Sequence, residues 1–458
     1  MKTKQRNKGF IMKNTFDFTK QIPIISKADL CVIGGSCTGV FAAVRAARKG
    51  LKVVLIEKLN SFGGTATASL VNVWHSLYDT DHREKIIAGL TEEVENALER
   101  QDALYYEETE HAGVRFNSAR LEGVLDALVT EHKIDAYLHT FYCDAWLENG
   151  EIKGIVVANK DGLGMIQADF FIDASGDGDL SRDAGFEAYR YSNIQPPSSC
   201  FLLQNENNKH LDIAPLIENY GKDYSLEDDW GWGGMVPNLK HVSFRADFHV
   251  FDKDCSDAKE LTQAEIIGRE KASRFSDMLK DHVDKNLEII TNCKSIGVRE
   301  SVHYKTNLKV TQNDLLIGAD FKDVVLKGTY RLDRHHAEDN GITFMYLDGR
   351  VDTFYGKGQK STHSNWREEL GLGGEPNKFY CAPLKMLVQS KIKNLIPVGR
   401  MINADESAFG ALRVMVNLNQ LGEAAGEAAA LCVEKSIAID KLDGSLVVNA
   451  LKQGGSAL

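Results

Sequence analysis

The sequence predicts an α/β protein in which a parallel-sheet domain, assembled from both ends of the chain, encloses an inserted α+β lobe. Three observations carry this prediction. A strand, a glycine-rich turn, a helix and a second strand follow one another between Ala28 and Glu57. A further apolar strand, "NLIPVG", and a long helix of small residues close the chain. Between these ends, from about Arg182 to Tyr380, regular patterning gives way to loop-like clusters such as "NIQPPSSC" and "DDWGWGGMVPN". At 458 residues the chain has room for more than one lobe around a large core.

The elements follow in order. "DLCVI" is short and apolar, as a buried parallel strand requires, and it runs directly into glycines. "TGVFAAVRAARKG" then places Val40, Ala43, Val44 and Ala47 at helical spacing, with Arg45, Arg48 and Lys49 expected to face water and Gly50 to end the helix. "KVVLIE" reads as the second parallel strand. An amphipathic helix is expected over Phe116 to His132, followed by strands near "AYLHTFY", "GEIKGIVVAN" and "MIQADFFIDAS". At the other end, a strand is expected to stop at Val398-Gly399, with a helix starting near Gly410 or Ala411 and running through "NLNQLGEAAGEAAALCVEK". "WGWGGM" and "LGLGGEP" read as loops, since neither follows a clear buried strand. The boundaries implied are a tail at 1–27, a first nucleotide-binding segment at 28–185, an inserted lobe at 186–380 and a second nucleotide-binding segment at 381–458.

Composition narrows the function. A content of 43% hydrophobic and 26% charged residues is that of a globular enzyme, and a net charge of −11 argues against nucleic acid as the main partner. No apolar run approaches the roughly 20 residues that would cross a bilayer, and the basic N-terminus lacks the apolar stretch of a secretory signal. The eight cysteines include no C-x-x-C pair. No metal site or disulfide framework follows, and a reducing cytoplasm is expected. Cys31 reads as a small core residue, and its spacing from Cys37 is not that of a redox-active disulfide.

The turn "GGSCTG" resembles the G-x-G-x-x-G loop that holds a pyrophosphate at a helix N-terminus, with Ser36 in place of the middle glycine. Gly34 supplies the tight turn, Gly35 precedes Ser36, and Gly39 allows close packing of helix on strand. Thr38 lies in the first helical turn. Glu57, at the end of the second strand, is placed to accept hydrogen bonds from ribose hydroxyls, with Lys58 beside it. Two further glycine clusters, Gly63-Gly64 followed by Thr65, and Gly176 and Gly178 after Ala174 and Ser175 and flanking Asp177, exceed what an NAD domain needs. They suit a longer ligand with an isoalloxazine and a ribityl chain.

The combination "VIGGSCTG", "LIEK", "FGGTAT", "FIDASGDGDL", "GVRES", "NLIPVGRMI" and "ALRVMVNLNQLGEAAGEAAA" resembles the FAD-dependent oxidoreductases of the glutathione-reductase-like flavoprotein fold. Within that fold it is most similar to a bacterial group some of whose members carry the name xanthan lyase. The resemblance runs from about Lys27 to Glu434. It implies a Rossmann-like FAD-binding domain with an inserted α+β substrate domain. FAD would lie extended, its adenosine near Glu57 and Tyr142, its pyrophosphate at Gly34 to Gly39, and its flavin near the C-terminal helix, with Gly399, Arg400 and Arg413 close by. In "GVRES" and "YRLDRHH" the resemblance singles out Arg299, Glu300, Tyr330, Asp333 and His335. Arg299 would anchor an anionic or carbonyl oxygen, and His335, with Tyr330 nearby, would take a hydroxyl proton while hydride passes to the flavin. Val302, His303 and Tyr304 stand where the family is often basic, which points to a different substrate.

The expected function is therefore hydride transfer between FAD and a small polar metabolite, such as a sugar or hydroxy-acid derivative. An NAD-linked dehydrogenase using the same βαβ unit and a non-catalytic FAD-binding protein are the alternatives. Arg299, Arg400 and Arg413 have ion pairs, and His335 a satisfied core position, as their plain structural readings. His75 reads as substrate-facing or solvated rather than as a covalent tether for FAD. With no second strand-glycine-helix fingerprint for NADPH, electrons are expected to come from the substrate or pass to a separate acceptor.

Overall fold

The computed structural model describes residues 19–108, 113–204, 211–226, 231–336, 341–355 and 361–458. Most of the expected N-terminal tail and Trp230 of the tryptophan-glycine cluster lie outside the described residues. The central sheet begins with β1 (Ile24–Ile33), followed by α1 (Cys37–Arg48) and β2 (Val53–Ile56), in which all four residues are buried. Helix α2 (Ser118–Glu131) starts where the Asn117 side chain accepts from the backbone N–H groups of Ala119 and Arg120. Strands β3 (Asp135–Tyr137), β4 (Phe141–Glu148), β5 (Glu151–Asn159) and β6 (Gly162–Asp173) follow. Their spatial order is β3-β2-β1-β6-β5-β4, parallel across the first four and antiparallel across β6-β5-β4.

The middle of the chain is more regular than its sequence suggests. Strands β7 (Ser198–Gln204), β8 (Trp232–Met235), β9 (Val242–His249) and β10 (Glu288–Asn292) form an antiparallel sheet in the order β8-β9-β7-β10. The glycine cluster expected to be a loop is thus partly the edge strand β8. Glycine is needed there for close approach, since a Cβ on Gly233 would stand 2.6 Å from the Phe244 carbonyl oxygen. Helix α3 (Ala258–His282), capped by Asp257, covers this sheet with Ala264, Ala272, Phe275, Met278 and Leu279. Phe275 meets Phe201 and Phe248 with ring centroids 5.8 and 5.2 Å apart. A second antiparallel sheet runs β11 (Leu332–His335), β12 (Ile342–Met345), β13 (Arg350–Phe354), β14 (Thr362–Asn365) in sequence order.

The chain then returns to the central sheet. Strand β15 (Leu395–Pro397) pairs in parallel with Phe171–Asp173, at the C-terminal end of the β6 edge whose first half pairs with β5. Two helices follow, α4 (Glu406–Leu412) and α5 (Met415–Lys435), in place of the single helix expected from Gly410 or Ala411. The break at Arg413-Val414 has a packing cause. A Cβ on Gly410 would lie 2.3 Å from the Asp333 carbonyl oxygen, so α4 is pressed on β11, whereas α5 is pressed on α1. One straight helix cannot meet both contacts.

The expectation that Arg45 faces water is corrected by the same packing. Arg45 is 2% exposed and donates from Nε to Glu423 Oε2 of α5 at 2.6 Å, while Leu90 N–H reaches Glu423 Oε1 at 3.2 Å. A guanidinium buried on the helix face needs that partner. Among the described residues no helix is long and apolar enough to cross a membrane.

Candidate functional site

A cavity of about 540 Å³ runs from the C-terminal ends of β1 and β2 to the walls made by β7, β8 and β11. Ligands in open α/β sheets bind at such strand ends. At the β1–α1 turn Gly34 has φ +102°, and a Cβ on Gly39 would lie 1.9 Å from the Gly34 carbonyl oxygen. Both positions therefore demand glycine. Ser36 is the N-cap residue of α1 with φ −61°, and its side chain makes no capping hydrogen bond. The first N–H groups of α1 are thus open to the cavity, which Ser36, Cys37 and Thr38 line.

Glu57 is buried, and its carboxylate already braces the turn. Gly35 N–H donates to Oε2 at 2.6 Å and Leu59 N–H to Oε1 at 2.8 Å. Each oxygen keeps a further lone pair for the cavity. Lys58 and Tyr142 line the same end, with Tyr142 Oη donating to Asp183 at 2.8 Å. Gly63 N–H donates to the Gly35 carbonyl at 2.8 Å, which draws the Gly63-Gly64-Thr65 segment beneath the turn and into the cavity wall.

The "DASGDGD" stretch is organised by a residue that motif reading missed. Asp173, fully buried at the end of β6, accepts from Ser175 Oγ and Ser181 Oγ at 2.7 Å each and from Ser181 N–H at 2.7 Å. Burial pushes its carboxyl above the usual range against those bonds. They fix the loop that brings Ala174, Ser175, Gly176 and Asp177 to the cavity. Arg400 lies over Gly176 and donates to Asp177 Oδ1 at 2.6 Å. Burial presses the Asp177 carboxyl up, but Arg400 and Ser301 outweigh it and hold it below the ordinary value.

Helix α5 presents its N-terminus to the same space through Val414, Met415, Leu418 and Asn419. Gly422 and Gly426 of α5 pack on Thr38 and Ala42 of α1, so the two helices run in the same direction. At 1.5 Å per residue, α5 extends on the order of 9 Å beyond the start of α1. Two helix N-termini, staggered along the cavity, face it together. Asn419 is 1% exposed, and neither polar atom of its side chain has a hydrogen-bond partner.

The far wall gathers most of the polar residues expected to act on substrate. Arg299 is half-buried and donates from Nη1 to the Pro196 carbonyl at 2.7 Å and to Ser198 Oγ at 2.6 Å. Burial, then the charge of Arg413, brings its guanidinium down to about 10. Arg413 donates to Gln195 Oε1 at 2.9 Å and pairs with Asp333 at 3.3 Å. Tyr330 Oη donates to the same oxygen, Asp333 Oδ2, at 2.9 Å. His335 lies 3.5 Å from Asp333 Oδ1, and burial, with Arg299 the strongest neighbouring charge, holds its imidazole well below the ordinary value. His75 stacks on Tyr330 at 5.4 Å and also lines the cavity. Glu300 turns away, accepting from Gln195 N–H and facing His303 Nε2, each at 3.0 Å.

These features define a dinucleotide-binding α/β protein with a polar reaction chamber. The chain matches the model of the FAD dependent oxidoreductase family over residues 29–453 and belongs to that family. It is an α/β flavoprotein of Rossmann type, and its cofactor is FAD. It is 27% identical over 137 residues to dihydrolipoyl dehydrogenase of Trypanosoma brucei brucei, covering 23% of this chain and 28% of that one. It is 33% identical over 85 residues to mitochondrial dihydrolipoyl dehydrogenase of Schizosaccharomyces pombe, covering 16% of this chain and 17% of that one. The matches thus span less than a third of those relatives. Among solved structures it is similar to a geranylgeranyl bacteriochlorophyll reductase-like protein from Thermoplasma acidophilum, with TM-score 0.46 and 13% identity over 93% of this chain and 83% of that one. The myxobacterial chondrochloren halogenase gives TM-score 0.46 and 13% identity over 94% and 79%.

The residues present fit the cofactor. Gly34 and Gly39 let the turn close tightly on the Ala174 and Gly34 carbonyls at the cavity's edge, α1 offers uncapped N–H donors, and the Asn419 amide is an orphan lining the cavity.

Proposed function

We propose that this protein is a glutathione-reductase-like flavoenzyme that moves a hydride between a small polar metabolite and FAD. FAD, when bound, supplies the two-electron acceptor. The Gly34–Gly39 turn and the α1 N-terminus hold its pyrophosphate, Ser36 sitting at the point of close approach. Glu57 accepts from the adenosine ribose, and Tyr142 and Lys58 flank it. Gly63, Gly64, Thr65 and the Ala174–Asp177 loop line the path of the chain between the phosphates and the ring. Gly399, the Asp177–Arg400 pair and the α5 N-terminus would face the flavin, where a helix dipole would favour negative charge.

The observation that carries the catalytic half is the buried His335 on the cavity wall beside Arg299, Tyr330 and Asp333, where burial holds its imidazole well below the ordinary value. A neutral imidazole accepts the hydroxyl proton as the carbon gives up hydride, and an arginine fixes the substrate oxygen. Arg413 is held by Asp333 and Gln195, so it shapes the wall around these groups. A separate electron acceptor reoxidises the cofactor, and the cytoplasm is the compartment that suits eight free thiols. Anaerobic addition of a metabolite panel to the yellow holoprotein tests the reading. Bleaching of the flavin bands by a hydroxylated compound is the expected result. A flavin that no such compound bleaches would leave FAD a structural ligand.

A further inference from the structure

Arg299 forms no ion pair among the described residues, and Asp333 is the carboxylate whose charge acts on it. The acceptors of Arg299, the Pro196 carbonyl and Ser198 Oγ, are neutral. Asp333 is engaged through Oδ2 by Arg413 and Tyr330, while its Oδ1 faces His335 at 3.5 Å. Arg299, Arg413 and Asp333 together carry one positive charge in surplus, in a chamber whose other walls include Arg331 as well as Trp232, Ala246, Ile342 and Phe344. Leaving a desolvated cation unpaired is costly, so the chamber is completed by an anion. The planar fork of an arginine whose Nη1 is anchored presents its remaining donors to two oxygens.

From this geometry we propose that the substrate is an α-hydroxy carboxylate, its carboxylate bound by Arg299 and its hydroxyl set against His335. The α position follows from both groups lining the one chamber around Asp333, whose Oδ1 stands 3.5 Å from His335 Nε2. In the step, the substrate C–H and O–H bonds break and a C=O bond forms. The hydride carries both electrons to FAD, the proton goes to His335, and a 2-oxo acid leaves. The hydroxyl half of this proposal rests on the hydride-transfer reading above, whereas the carboxylate half does not.

The test separates the two. Oxidised holoprotein is titrated with benzoate and pyruvate, neither of which carries a hydroxyl to oxidise, and with their neutral counterparts benzamide and acetone, while the flavin spectrum is followed. The carboxylates should perturb it saturably and the neutral compounds should not. Arg299→Gln should weaken carboxylate binding roughly ten- to hundredfold, the value of one charge-assisted hydrogen bond or a pair of weaker ones, with FAD content unchanged. Arg299→Lys should fall between, and it keeps the test informative if the glutamine variant folds poorly. Lactate, malate and mandelate should then bleach the wild-type flavin anaerobically. Benzamide binding as tightly as benzoate, or unchanged benzoate affinity in Arg299→Gln, overturns the proposal. Bleaching by neutral alcohols alone overturns it while the hydride reading stands. Carboxylate binding without bleaching by any alcohol or hydroxy acid overturns the hydride reading and, with it, the assignment of a substrate hydroxyl to His335.

Discussion

Gly422 of α5 rests on the backbone of Thr38 in α1, where a Cβ would stand 2.3 Å from the Thr38 carbonyl oxygen, and Gly426 repeats the contact one turn later on Ala42. The pair sets the distance between the two helices whose N-termini face the cavity. It also explains why the closing helix is so rich in small residues. The site is positioned by this close approach, together with the buried Arg45–Glu423 ion pair behind it.

Gly422→Val should therefore do more than overpack a core. The branched side chain meets backbone, which cannot rotate aside, so a stability loss of about 1–3 kcal/mol or more is expected, with weakened FAD binding because α5 is pushed away from α1. Thermal denaturation and flavin titration measure both. An unchanged melting temperature would mean that the helices are not held at this distance.

Glu57→Ala should lower FAD affinity by on the order of 1.5–3 kcal/mol, the cost of losing charge-assisted hydrogen bonds. The structure adds a second consequence. Gly35 N–H and Leu59 N–H lose their acceptor, so the apoprotein should also melt at a lower temperature than wild type. Flavin titration and apoprotein melting curves are the two readouts, and wild-type affinity in the variant would remove Glu57 from the cofactor site.

The nucleotide-binding ends of the chain were readable because their information is local. Gly39 packs on Gly34 and Glu57 accepts from Gly35 within one βαβ unit, and the spacing of turn, helix and strand is written in consecutive residues. Arg45 was misread because its partner, Glu423, lies at the other end of the chain, and helical periodicity alone assigns a charged residue to water. The break between α4 and α5 was hidden for a similar reason, since β11 and α1 dictate it from a distance. Helix α3 did leave a signal, Asp257 followed by a periodic apolar stripe, but its small and polar residues blurred that stripe. Among site residues, Asp173 and Asn419 lie inside the quoted motifs "FIDASGDGDL" and "ALRVMVNLNQLGEAAGEAAA" without being singled out there. Their roles appear only when burial shows that one is saturated with hydrogen bonds and the other has none.

His335→Ala should slow flavin reduction roughly a hundredfold or more while FAD stays bound, as expected for loss of a general base. The pH dependence has a definite sign. The folded imidazole takes up a proton only well below the unfolded value of about 6.5, so the unfolded chain binds more protons in that window. The stability associated with this residue is complete above that pH and is lost as pH falls below it, and His335→Asn should flatten that part of the curve. Reduction rates in the wild type should show no ionisation of His335 between pH 6.5 and 8, roughly the window where a free histidine would begin to titrate. Stopped-flow reduction across pH provides the check, and a kinetic pKa near 6.5 that disappears in His335→Ala would contradict a buried neutral base.

Ser36 decides how the pyrophosphate turn works without its middle glycine. Its φ of −61° is open to any residue, so no conformational demand for glycine exists there, unlike Gly34 beside it. What confines the position is space, because a Cβ on Gly64 would come within 2.9 Å of the Ser36 Cβ. Ser36→Gly should keep or slightly tighten FAD binding, since backbone N–H groups and the α1 dipole supply most of the anion binding. Ser36→Val should weaken it, because a second γ-carbon must be placed between the Gly64 segment and the phosphates. If instead the hydroxyl is itself a phosphate ligand, Ser36→Gly and Ser36→Ala should each cost about 1 kcal/mol, the net value of one hydrogen bond. Dissociation constants for the three variants separate these accounts. FAD bound as tightly by Ser36→Val as by the wild type would place the pyrophosphate away from this turn.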